Sequence, residues 1–430
     1  MKLPYSLQAP SFTILDYLFG IVLLSYPALL FLIRGGMNGS LFLLATLSLF
    51  LLVKYRDKVN YPDKEDKLFG VAMSSGLVVI LISQLYHQDL TARYFDSEAR
   101  FLLAVPILLA LRLIKQKILL VVQYAFPLGA IAAFVAVMMT NPNVRYNAST
   151  SFMNHIHLGD LALMLGFLSL FSINWVQKDH LLIKMLKVMG FIAGLTVSIL
   201  SSARGGWFAI PVFVAVFVHF HTTGKLFNKI ALVILLVGII GLLGYFFVDP
   251  IHQRLGFISS DLALFFAGNA DTSIGIRFQL WKAALHLFAE NPIFGVGADG
   301  FGRAMDALNA SGYITPAAAT LGKGEVHNEI LAHTVRFGIF GLFSILAIYF
   351  VPFVIFLRAA RTSTQQQKTA AMLGICLTLG FFVFGLTVET FDLKMTAAFY
   401  SLTVAVLLAA ATRKPSTDES NIPAPQGNNV

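Results

Sequence analysis

Long apolar runs, broken by short polar connections, set the pattern of this chain. A helix needs about 20 mostly apolar residues to cross a bilayer. Runs near 12–33, 39–53, 67–86, 100–114, 118–139, 156–175, 185–201, 206–220, 229–248, 337–357, 369–388 and 394–411 predict twelve such helices. One long interruption, 249–326, separates the ninth run from the tenth. Only Lys2 precedes the first run, and no small-residue cleavage pattern follows it, so it reads as a retained helix. The expected division is 1–248 for helices one to nine, 249–326 for a loop with helical segments, 327–411 for helices ten to twelve, and 412–430 for a tail. Pro, Ser, Asn and Gly dominate that tail, which predicts disorder on the cytoplasmic side.

Composition agrees with a membrane protein. Of 430 residues, 57% are hydrophobic and 12% charged. Mean hydropathy is +0.76. A soluble domain carries roughly 25% charged residues. The net charge of +9 need not mean nucleic-acid binding, because the basic residues sit in short loops between apolar runs. With the N-terminus in the cytoplasm, 19 of the 31 Lys and Arg fall on that side and 12 on the other. Five of the twelve lie in the long loop, where the positive-inside rule is weak; without them the ratio is 19 to 7. Both termini are therefore expected inside. The single cysteine, Cys376, excludes an internal disulfide and a cysteine-based metal site.

The outer side differs in kind as well as number. Its basic residues are nine Arg and three Lys, whereas the inner set is lysine-rich. Arginine grips phosphate bidentately and lysine acts as a point charge. Such a surface suits an anionic group such as a lipid phosphate, or ordinary headgroup contact. Arg204 lies in the small-residue turn Ser201-Ser202-Ala203-Arg204-Gly205-Gly206, where another group can approach the backbone closely. Residues 276–290 read as an amphipathic helix: Gln279, Lys282, His286 and Glu290 form a polar arc, and Arg277 falls opposite it with Trp281, Ala284 and Phe288. An arginine on that face needs an anionic partner, a wet pocket or a snorkelling path beside Trp281. His327, in Glu325-Val326-His327-Asn328-Glu329, can take a proton from a hydroxyl or serve as a hydrogen-bonded structural group.

Other signals fail their context tests. Gly295-Val296-Gly297-Ala298-Asp299-Gly300 matches a dinucleotide fingerprint, but follows a helix and Pro292 rather than a strand, so a loop turn is expected. His327 and His333 stand six apart, the wrong spacing for a helical zinc pair. No carboxylate cluster accompanies His155 and His157. Neither a metal nor a cofactor is expected.

The segments Ser202-Ala203-Arg204-Gly205, Arg277 to Trp281 with Asn291-Pro292-Ile293-Phe294-Gly295-Val296-Gly297, and Val326-His327-Asn328-Glu329 leading to Phe337-Gly338-Ile339-Phe340-Gly341 together resemble the O-antigen ligase and polymerase superfamily. The motif region spans about 185–345. The resemblance implies an all-α polytopic enzyme of the C type of lipid-dependent glycosyltransferase, in a Gram-negative inner membrane with its site facing the periplasm. It implies an undecaprenyl-diphosphate-linked glycan as donor, lipid A–core as acceptor, and metal-independent inversion. Membrane lipids are its surroundings, and no nucleic acid is a partner. It also implies His327 as catalytic residue and Arg204 and Arg277 as diphosphate ligands. Arg93, Arg100, Arg303, Arg336 and Lys394 are further candidate substrate contacts.

On this reading His327 is the general base, and the arginines hold the departing diphosphate in place of a metal ion. The motifs serve polymerases and protein O-oligosaccharyltransferases equally. A reading from another class is a twelve-helix transporter or flippase. Its long loop would be expected between spans six and seven, not nine and ten, and charges here avoid span centres, Asp160 being the main exception.

Overall fold

A computed structural model describes residues 13–413 except 59–61, 145, 248–251, 253–255, 257–259, 262 and 363. Lys2, Arg145, Arg254 and nearly all of the expected disordered tail lie outside the described residues. Among the described residues the chain is helical without strands.

Each of the twelve apolar runs forms a helix. In chain order these are α1 (Ile14–Leu32), α2 (Gly36–Lys54), α3 (Lys64–His87), α4 (Phe95–Leu111), α5 (Val122–Thr140), α6 (His155–Phe171), α7 (Leu181–Ser201), α8 (Ala209–His221) and α9 (Leu226–Phe247). The interruption then contributes α10 (Ser273–Glu290), α11 (Gly300–Ala310) and α12 (Pro316–Gly322), followed by α13 (Glu329–Thr362), α14 (Gln365–Gly385) and α15 (Lys394–Ala411). Among the described residues, ten helices are long and apolar enough to cross a membrane, if the short turns before α5 and α8 are counted with them. The other two, α4 and α6, have 17 residues each.

The apolar periodicity alone does not say which helices face lipid; packing does. Helix α15 is the axis, 89% buried, wrapped by α4, α14 and α2. Helix α9 is the opposite case: it packs chiefly on α8 and is apolar and exposed on nearly all sides, as a lipid-facing helix should be. Lys187, at the start of the seventh apolar run, is fully buried in α7 and paired, with Nζ 2.9 Å from Asp179 and 3.0 Å from Gln123 Oε1. Asp160 in α6 is 2% exposed, and neither of its carboxylate oxygens is hydrogen-bonded.

Helix α13 starts at Glu329, eight residues before the expected run, because it is two helical stretches joined at Gly338 (φ 65°, ψ −152°). Such a break orphans carbonyls on one side and amides on the other. The segment after α10 satisfies both: Val296 N and Gly297 N donate to the carbonyls of Val335 and Arg336, and Ile339 N donates to Pro292 O. The contact is so close that a Cβ on Gly338 would lie 2.2 Å from Ile293 O. The glycine run is thus a clamp on the kink, in keeping with the expected loop turn. It fixes where Arg336 and Phe337 point.

Candidate active site

Two cavities lie where the 263–328 segment meets the helix ends. The smaller, about 270 Å³, is lined by Arg204 and Arg277 together with Asn147, His155, Ser202 and Thr387. Arg204 reaches it from a one-turn helix, Arg204–Trp207, that follows Ser202 in left-handed backbone (φ 60°). Small residues let that turn sink into its neighbours. A Cβ on Gly205 would lie 2.2 Å from Thr387 Oγ1, and one on Gly206 the same distance from Asp160 Oδ1. Trp207 Nε1 donates to Ser198 Oγ at 3.3 Å and pins the far side.

Arg277 comes from α10. That helix buries Leu280, Ala283, Ala284 and Leu287, an i, i+3, i+4, i+7 stripe. Arg277 is on the same side and half-buried, as the sequence pattern placed it. Gln279, assigned to the polar arc, instead donates to Ala270 O and accepts from Thr315 N, each at 2.8 Å, tying α10 to the segments around it. Burial lowers the Arg277 pKa, while the charges of Glu325 and Asp261 oppose the fall. Arginine remains a cation across any working pH.

His327 is held by the chain on both sides. Its φ of 59° is strained for a residue with a side chain. Trp281 Nε1 donates to its carbonyl at 3.4 Å, and Val326 N donates to Glu389 Oε1 at 2.5 Å. Asn328 caps α13 through Leu331 N and donates to Leu386 O. The His327 Nδ1 lies 2.8 Å from Glu325 Oε1, although the ring N–H does not point squarely at the oxygen. Burial pushes the Glu325 carboxyl up, but the adjacent His327, the Glu389 backbone and the charge of His157 together outweigh it, so Glu325 sits below the ordinary glutamate range.

The 386–393 loop between α14 and α15 is the frame for this arrangement. Glu389, 1% exposed, takes both guanidinium nitrogens of Arg336, at 2.5 and 3.2 Å. Burial raises the Glu389 pKa and the Arg336 charge opposes it. Glu329 accepts from Phe391 N at 2.8 Å and Thr390 Oγ1 at 3.0 Å, and contacts His333 Nε2 at 3.1 Å. Sequence reasoning missed Glu325, Glu329 and Glu389. The first two stood in its own His327 motif; Glu389 lay in a short acidic stretch between two apolar runs.

The larger cavity, about 420 Å³, is lined by Arg93, Arg336 and Lys394 among others. Arg93 pairs with Asp299 at 3.3 Å, and Lys394 with Asp96. Two other candidates line neither cavity. Arg303 is exposed, 4.0 Å from Asp89, and Arg100 is buried, donating to Asn38 Oδ1 at 3.0 Å and to the Asp96 carbonyl. The structure therefore brings Arg204 and Arg277 together in one cavity, with Glu325 near enough to act on the Arg277 charge; His327 and Glu325 line neither cavity. It groups Arg93, Arg336 and Lys394 elsewhere.

Residues 189–346 match the family model described as O-Antigen ligase, a stretch from α7 into α13 that holds Arg204, Arg277 and His327. The chain is 26% identical over 352 residues to an uncharacterized protein of Haemophilus influenzae, covering 80% of this chain and 86% of that one. It is 24% identical over 171 residues to an O-antigen ligase of Escherichia coli, covering 39% of this chain and 40% of that one.

Proposed function

We propose that this polytopic, all-helical membrane protein with its O-antigen ligase domain transfers O-antigen glycan from undecaprenyl diphosphate to a sugar hydroxyl of lipid A–core. The reaction runs at the periplasmic face of the inner membrane, with both termini in the cytoplasm, as the Lys and Arg distribution argues. The observation that supports the proposal is that Arg204 and Arg277, 73 positions apart, line one cavity, and that Glu325, 2.8 Å from His327 Nδ1, acts on the Arg277 charge.

The chemistry follows from those groups. Glu325 beside Nδ1 favours the tautomer with its proton there, leaving the Nε2 lone pair as base. The acceptor hydroxyl gives its proton to Nε2 as its oxygen bonds to the anomeric carbon of the donor. The bond from that carbon to the diphosphate oxygen breaks, and its electron pair leaves with the diphosphate. Attack opposite the leaving group inverts the anomeric centre. Two fixed guanidiniums meet the charge that grows on the leaving diphosphate, so stabilisation rises toward the transition state.

The test is reconstitution of the purified chain in EDTA with undecaprenyl-diphosphate glycan and lipid A–core, products followed by gel shift and mass spectrometry. Glycan on lipid A–core, lost on Arg277→Ala and His327→Ala, is the expected result. Longer glycan left on the carrier would make the protein a polymerase. No product from folded protein would sink the transferase reading and return transport to the front.

A further inference from the structure

The larger cavity has no role in the chemistry above, and its composition is unlike that of its neighbour. Its volume of about 420 Å³ falls in the ~300–1,000 Å³ range usual for small-ligand sites. It shares two walls with the site of transfer. Gly322, Lys323 and Gly324 line it just before His327, and Glu329 and His333 just after. The 386–393 loop gives Thr387 to the arginine cavity and Glu389, Phe391 and Asp392 to this one. A group seated here is therefore held by residues on either side of His327 in the chain and by the loop that also reaches the arginine cavity.

The charges around it cancel. Arg93 is paired with Asp299, Arg336 with Glu389, Lys394 with Asp96, and Lys323 with Asp306 at 2.7 Å. A wall whose cations are already neutralised is a poor anion site. Carboxylates are also in excess: Glu98, Asp299, Glu329, Glu389 and Asp392 line it against four cations. Glu98, 4% exposed, also lines it, but its one unpartnered carboxylate oxygen is sealed against Gly76 of α3, which leaves Asp392 as the open carboxylate. Four aromatic rings, Tyr94, Phe301, Phe337 and Phe391, complete the lining. Hydroxyl donors on a ring with apolar faces match carboxylates among aromatics.

We infer that this cavity is the acceptor-sugar site, and that it takes an uncharged, hydroxyl-rich ring through Asp392 and Tyr94. The inference rests on the transferase reading for the word acceptor, but its chemistry is testable by binding alone. Carboxylates accept strong hydrogen bonds from sugar hydroxyls. Phosphate elsewhere on the acceptor is not what this cavity recognises.

The binding test uses the full purified chain in detergent and lipid-free core oligosaccharide, native or dephosphorylated, measured by calorimetry. Both forms are expected to bind with affinities within about twofold of each other. Asp392→Asn and Tyr94→Ala, both at sites open enough to spare the fold, should each weaken binding about 10- to 100-fold, the loss expected for a hydrogen bond to a charged group. In transfer assays the same variants should raise KM for acceptor and leave KM for donor unchanged, with Arg277→Ala showing the reverse split. Binding that requires the phosphates, or that neither variant weakens, would overturn the inference even if transfer is intact. Absence of transfer with binding as described would overturn the transferase reading and leave the sugar site standing.

Discussion

Two cavities built from overlapping segments use arginine in opposite ways. Among the described residues lining the smaller one, Arg204 and Arg277 stand without a carboxylate in the wall, and Glu325 bears on Arg277 from the side of His327. In the larger one every lining Lys or Arg has an acid within 4.0 Å. The first gathers two arginines with no acid in its lining; the second sets an acid against each of its cations. The difference teaches that a guanidinium near a pocket is not evidence of anion binding until its existing partner is known. Arg336 makes the point, since Glu389 already holds it bidentately.

The largest effects should come from the smaller cavity and its base. His327→Ala should cut transfer about 10²- to 10⁴-fold. Arg277→Lys, which keeps charge but loses the fork, should cost about 10²- to 10³-fold. Full activity in Arg277→Lys, read from initial rates, would remove the case for bidentate diphosphate binding. Next comes the frame. Glu389→Ala leaves Arg336 buried without its acid and Val326 N without its acceptor, a loss of about 3–5 kcal/mol. Thermal unfolding in detergent should show a large fall in Tm. A Tm within a degree of the parent would mean the pair is not structural, and would reopen Arg336 as a substrate contact.

A smaller effect is expected for Glu325→Gln. Losing a charged hydrogen-bond partner is worth about 1.5–3 kcal/mol, so transfer should fall about 10- to 100-fold. Stability offers a second readout. The folded-state pKa of Glu325 lies below the free value. Its contribution is thus present above the ordinary glutamate pKa and lost as pH falls through the lower folded value. Glu325→Gln should flatten that acid limb. An unchanged acid limb together with an unchanged rate would break the link between Glu325 and His327.

These two acids also mark where the sequence stopped being legible. Apolar runs of bilayer length led directly to twelve helices, because length and hydropathy are local properties. The face of Arg277 was legible for the same reason, since helical spacing fixes it. The start of α13 was not: its first turns, Glu329 to Phe337, carry Glu329, His333 and Arg336 and do not look apolar. Arg336 is neutralised by Glu389, and Glu329 accepts from the Thr390 hydroxyl and the Phe391 N–H, some 50 to 60 positions on. Periodicity cannot see a partner at that distance. Nor could it see that Pro292 to Gly297 closes the break at Gly338, because that ladder exists only once both segments are in place.

The smallest expected effect sharpens the comparison most cheaply. Arg303 was a further candidate contact, an arginine in the same long segment as Arg277 but without that residue's helix-face and motif arguments. In the structure it is well exposed, lines neither cavity, and lies 4.0 Å from an equally exposed Asp89. Exposed pairs at that distance contribute little, because water screens the charge and the side chains lose freedom in holding it. Arg303→Ala should therefore change kcat/KM for either substrate less than about twofold, with Tm unmoved. If it behaved like Arg277→Ala instead, raising KM for the donor tenfold or more, the division of arginines by cavity would be wrong. The diphosphate would then reach further along α11 than the smaller cavity allows.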